Sequence, residues 1–146
     1  GCTSIAPDTY STLSKNVNYC FMTSSQKEQM RKLADECGLT KEDFFKHQHY
    51  TIMTRQGIEK VAECKKIELH FQCVQAGPDY AAVKCTANTE DLRSVETFGS
   101  ADMKTSQNKY YLEMAEKRAK ARAVLQLTNL YSFGIYSEDE SDDFKR

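Results

Sequence analysis

Residues 108–131 read NKYYLEMAEKRAKARAVLQLTNLY, the longest uninterrupted helical pattern in the chain. At about 100° per residue, Leu112, Ala115, Ala119, Ala123, Leu127 and Leu130 fall on one stripe. The alanines of that stripe are small enough to let the helix lie close against a sheet. Glu113, Lys117, Lys120 and Thr128 fall on the far side. Glu113–Lys117 and Glu116–Lys120 are i,i+4 pairs in the favourable orientation, so these lysines read first as solvated helix-face charges. Arg118 and Arg122 lie one turn apart, on the flank with Tyr111, Met114 and Leu125. Two readings of them stay open. They snorkel past the core or pair with carboxylates of this chain, or their planar guanidinium groups hold a phosphate or a neighbouring subunit's carboxylate.

Three strand-like segments precede this helix. Ile67, Leu69, Phe71 and Cys73 alternate with Glu68, His70 and Gln72, the pattern of a half-buried strand. Gly77, Pro78 and Asp79 make a turn. Ala81, Val83, Cys85 and Ala87 alternate with polar or small neighbours, and residues 94–98 form a third strand ending at Gly99. Such short connections favour an antiparallel meander. Further upstream, residues 50–54 (YTIMT) read as a short strand, with a helix after Gly57 whose Ile58, Val61 and Ala62 share a face. Ser24 or Ser25 caps an earlier helix that Gly38 stops, and Thr40 caps a second short helix anchored by Phe44 and Phe45. The order predicts an α+β domain: a small antiparallel sheet with a β-α-β-β-β-α core, packed by a long C-terminal helix and preceded by N-terminal helices. Residues 1–23 read as an irregular lead-in, 24–136 as the single domain, 101–107 as a polar loop, and 137–146 as an acidic, mobile tail.

With 146 residues the chain holds one moderate core. Its formal net charge of -1 gives no global field toward nucleic acid or anionic membrane, so electrostatic function must come from local clustering. No stretch approaches the roughly 18 apolar residues of a membrane span. The six cysteines contain no C-x-x-C pair and fit no zinc spacing. This usage points to reduced thiols and a cytoplasmic protein. The alternative is a surface lipoprotein anchored through Cys2, since Gly1-Cys2-Thr3-Ser4 matches a lipidation junction. The chain begins with Gly rather than Met, and a longer natural protein is expected.

Between Lys104 and Arg122 lie six basic residues (Lys104, Lys109, Lys117, Arg118, Lys120 and Arg122) against two acids, with Tyr110 and Tyr111 among them. Cations for phosphates interleaved with rings for bases are what single-stranded nucleic acid requires. Residues 96–144, from ETFGS through the AEKRAKARA helix to DDF, resemble the C-terminal part of a group of phage and mobile-element proteins associated with DNA recombination. The segment YTIMTRQGIEKVAE at 50–63 is similar to the T-R-x-G-[IY]-x-K element that precedes the sheet in that group. The final helix is similar to that of single-strand annealing proteins of the Red-beta and Erf kind. The resemblance implies a compact β-β-β-α unit that assembles along single-stranded DNA, with no catalytic residues and no cofactor. It implies that Lys117, Arg118 and Arg122, together with Arg55 and Lys60, are basic positions of the binding surface. The partners expected are single-stranded DNA and further copies of the chain.

The tail places Glu138, Asp139, Glu140, Asp142 and Asp143 ahead of Phe144, like the acidic tips that recruit repair partners. A docking peptide and a competitor of DNA for the basic helix are both open readings. His47, His49 and His70 are not brought together by any pattern, so no metal is expected. There is no P-loop, no nucleophile elbow and no readable Cys–His pair, so no enzymatic activity is expected. A protein-interaction or structural domain that binds no DNA is the alternative function.

Overall fold

The computed structural model describes residues 23–47, 50–104 and 110–138. Helix α1 (Ser24–Cys37) opens with a capping box one residue earlier than expected. The Thr23 hydroxyl accepts from the Gln26 amide at 3.1 Å, and the Gln26 side chain accepts from the Thr23 amide at 3.0 Å. Gly38 ends the helix in the left-handed region, at φ 70°.

The second short helix is replaced by a single 3-10 turn (Lys41–Asp43), after which the chain becomes extended as β1 (Phe44–His47). Two successive bulky aromatics explain the difference. As a strand they point to opposite sides, and Phe44 enters the core while Phe45 stays exposed. Strand β1 pairs antiparallel with β2 (Tyr50–Met53), and β2 leads into α2 (Arg55–Cys64), capped where the Thr54 hydroxyl accepts from the Gly57 amide at 3.2 Å.

Strands β3 (Glu68–Gly77), β4 (Tyr80–Asn88) and β5 (Ser94–Asp102) form the expected antiparallel meander. Strand β5 runs past Gly99 into the segment read as a loop. Helix α3 (Tyr111–Leu127) follows, then a 3-10 turn (Leu130–Phe133) and β6 (Ile135–Ser137). Strand β6 lies parallel to β2, with Ser137 buried opposite Met53. The boundary drawn after residue 136 therefore falls inside a strand. Among the described residues there are two three-stranded sheets, β1-β2-β6 and β3-β4-β5, rather than one. The sequence order concealed this division because β2 finds β6 more than eighty residues later.

Helix α3 is buried on two sides. Ala115, Ala119, Ala123 and Leu127 pack on the inner face of β4 and β5. Ala121, Val124 and Leu125 join the other core with α1, α2 and Ile135. Leu112, assigned to the core stripe, is 45% exposed in the first turn. On β5 the contact with α3 is backbone-close. A Cβ on Gly99 would lie 2.2 Å from the Ala115 carbonyl oxygen and 2.4 Å from the Ala119 nitrogen. The buried Thr97 hydroxyl donates to the Ala119 carbonyl at 2.7 Å. Because α3 covers β4 and β5, it leaves β3 uncovered beyond Leu69, which packs half-buried against the same core. Phe71 is 39% exposed and Cys73 is exposed, so β3 is not the half-buried strand its alternation suggested.

Gly99→Ala is expected to lower stability by about 1–3 kcal/mol, the range for overpacking a tight contact. Chemical denaturation of both proteins checks this, and a change below a few tenths of a kcal/mol would show that the helix can retreat from the sheet.

Candidate nucleic-acid interface

The basic residues singled out in the sequence divide into two groups. Arg55 at the start of α2 and Lys117 and Lys120 on α3 line one groove of about 180 Å³ between the two helices. Ile58 and Ala121 make its apolar floor, and Glu59 and Glu116 share its wall. The groove exists because α2 and α3 pack through Ile58, Val61, Ala121 and Val124, leaving their polar flanks side by side. Lys120 bonds Glu59 across it, rather than Glu116 along its own helix. Lys117 is exposed.

Glu138 also reaches this place. Its Oε1 accepts from the Arg55 backbone N–H at 2.6 Å and lies 4.0 Å from Arg55 Nε. The carboxylate thus sits at the N-terminus of α2, where the helix dipole favours an anion. Three cations line the groove against two carboxylates, and Glu138 supplies a third. The first residue of the acidic tail is therefore ordered against Arg55. Asp139, Glu140, Asp142, Asp143 and Phe144 lie outside the described residues, as does Lys109.

The second group is engaged elsewhere in the fold. Lys60 bonds the fully buried carboxylate of Asp43 at 2.8 Å. The same Asp43 oxygen accepts from the Thr40 amide at 2.9 Å, fixing the turn ahead of β1. Truncating Lys60 would leave the buried Asp43 carboxylate without this counter-charge. Arg118 is 5% exposed and its Nη1 donates to the Ser100 carbonyl at 2.6 Å. Arg122 Nη1 donates to the Phe98 carbonyl at 2.6 Å. Of the two readings left open for these arginines, a role inside the fold has direct partners, among them backbone carbonyls of β5. Tyr111 is half-buried against the sheet-side core. Tyr110, ahead of α3, is 68% exposed, and Lys104 is exposed just after β5.

A larger groove of about 500 Å³ was not foreseen from the sequence. It brings Lys32, Lys65 and Arg93 against Glu36, Glu90 and Asp91 between α1 and the β4–β5 turn. Its charges cancel: Lys65 bonds both Glu36 oxygens at 3.1 Å, and Arg93 Nε bonds Asp91 at 3.1 Å. Hydrogen bonds from Thr89 and Arg93 hold the Asp91 carboxyl below its ordinary range. Glu36 and Lys65 come from different helices, so no local spacing signalled that pair, whereas Asp91 and Arg93 are two residues apart.

Among the described residues, no three His, Cys, Asp or Glu side chains converge on a metal position. No described helix is long and apolar enough to cross a membrane. Cys37, Cys64, Cys73 and Cys85 are free thiols. Burial, then a hydrogen bond with Cys64, pushes the Cys37 thiol from 9.0 up to about 12. Burial pushes Cys85 up to about 11, against a smaller opposing pull from Lys120. Both stay protonated at neutral pH, so neither offers a thiolate nucleophile there. No protein-family model matches the chain, and no curated protein or solved structure is significantly similar to it.

The raised Cys37 thiol makes stability depend on pH in the alkaline range. Its contribution to stability is complete below pH 9.0 and is lost as pH rises toward about 12, because the unfolded thiol ionises first. Melting temperature should fall more steeply between pH 9 and 11 for the wild type than for Cys37→Ala. Parallel curves would contradict the assignment.

Proposed function

We propose that this chain is a non-catalytic module that binds single-stranded DNA, of the recombination-associated phage or mobile-element kind its sequence resembles, and that it works as a homo-oligomer in strand annealing. One observation carries the reading: Arg55 and Lys117, more than sixty residues apart, line a single groove with Lys120. Exposed Lys104 and Tyr110 lie near the start of the same helix. In this reading Arg55, Lys117 and Lys104 neutralise phosphates and Tyr110 stacks on a base. Lys120 contributes after exchanging Glu59 for a phosphate. The chemistry is electrostatic and positional, with strands held extended for pairing and no bond made or broken. The free thiols support a reducing compartment, the cytoplasm.

Glu138 is the built-in rival of the phosphate at Arg55. An incoming strand displaces this carboxylate and takes its place at the α2 N-terminus. This favours the reading of the tail as a competitor of DNA. The alternative, a protein-interaction domain that binds no DNA, draws on the uncovered β3 strand.

Fluorescence anisotropy with an oligothymidylate across a salt series tests the proposal. About four phosphate contacts predict a slope of log affinity against log salt near -3. Glu138→Gln should tighten binding several-fold at low salt. Absent or salt-independent binding would overturn the DNA reading and leave the protein-interaction alternative.

A further inference from the structure

Among the described residues, strand β3 has β4 on one side and no strand on the other. It is ten residues long, and every residue from His70 to Ala76 is exposed. Phe71 and Val74 are 39% and 55% exposed. Glu68 is its sole formal charge, and it contains neither Lys nor Pro. Long, apolar, weakly charged edges of this kind pair with other strands unless protected.

The other sheet edges are closed or short. Strand β5 also has one neighbour, but its Phe98 and Ser100 carbonyls are taken by the guanidinium groups of Arg122 and Arg118. These carbonyls are two residues apart and point to the same side of the strand. The outer strands of the other sheet, β1 and β6, have four and three residues. A head-to-tail chain of β3 on a neighbour's β5 therefore meets an occupied edge. A second β3 meets an open one.

We propose that β3 is a self-association edge, pairing antiparallel with β3 of a second copy of this chain to make a two-fold symmetric dimer with a continuous six-stranded sheet. Charge supports this partner. Antiparallel alignment puts the two Glu68 carboxylates at opposite ends, each beside the uncharged half of the other strand. It brings Phe71 and Val74 of both copies to the middle of the junction, where water-exposed apolar surface is removed. The irregularity between Cys73 and Gln75 lies inside this junction and interrupts the regular ladder there, which fixes the alignment and limits slippage. An isologous pair of this kind closes on itself and leaves no further β3 edge open.

This inference deepens the homo-oligomeric part of the proposed function and is tested without DNA, so its failure leaves the salt titration of DNA binding unaffected. Sedimentation equilibrium of the full chain should show a monomer–dimer equilibrium. In Phe71→Glu, Val74→Glu the dimer should be lost with the circular dichroism spectrum unchanged, since both side chains are exposed. Amide hydrogen exchange gives a second readout: β3 amides should be protected at concentrations where the dimer forms and exchange fast on dilution. A monomer at high micromolar concentration, a dimer that survives the double substitution, or an open-ended series of larger species would each overturn it.

Discussion

Everything in this molecule is referred to the contact between α3 and β5, where two backbones meet with no side chain between them. Gly99 faces the Ala115 carbonyl and the Ala119 amide at distances that exclude a Cβ. Once the helix is seated there, the alanines along it settle over β4 and β5. Arg118 and Arg122 reach the β5 carbonyls. The opposite side of the helix is left to build the second core through Val124 and Leu125. One helix thus serves as the common wall of two sheets, which explains why so few of its residues meet solvent.

The same contact determines which charges are available. Arg118 and Arg122, placed beside the buried stripe, each donate to a backbone carbonyl of β5. Lysines on the far flank meet α2 and make a mixed-charge groove with Arg55. The groove is close to neutral while Glu138 is docked, in keeping with a chain whose formal net charge is -1. Function by electrostatics in such a protein depends on exchanging internal partners for external ones.

The meander and the long helix were legible in the sequence because their patterns are local: a period of two over β4 and small residues every three or four along α3. The two-sheet division was not legible, since the β2–β6 pairing joins segments with the whole meander and helix between them. Phe44 and Phe45 suit a helix or a strand equally until β2 is present to pair with them. The alternation of β3 correctly named two faces but not what covers them: the width of one helix spans two strands, and the third is left open. Among the site residues, Arg55 and Lys117 were singled out on composition and resemblance, and their shared groove required the α2–α3 packing. The engagement of Lys60 by Asp43 had no visible cue, because Asp43 reads as an ordinary first-turn acid.

In the proposed function Arg55, on exchanging Glu138, and Lys117 meet phosphate, while Arg118 and Arg122 hold β5. The direct measurement is the salt dependence of single-stranded DNA binding, with melting temperature, for the double variants Arg55→Ala, Lys117→Ala and Arg118→Ala, Arg122→Ala. The first pair should flatten the slope by about 1.4, two single-strand phosphate contacts, and leave melting unchanged. The second should lower the melting temperature and keep the slope. The reverse pattern, a flattened slope with native melting on removing Arg118 and Arg122, would contradict the account.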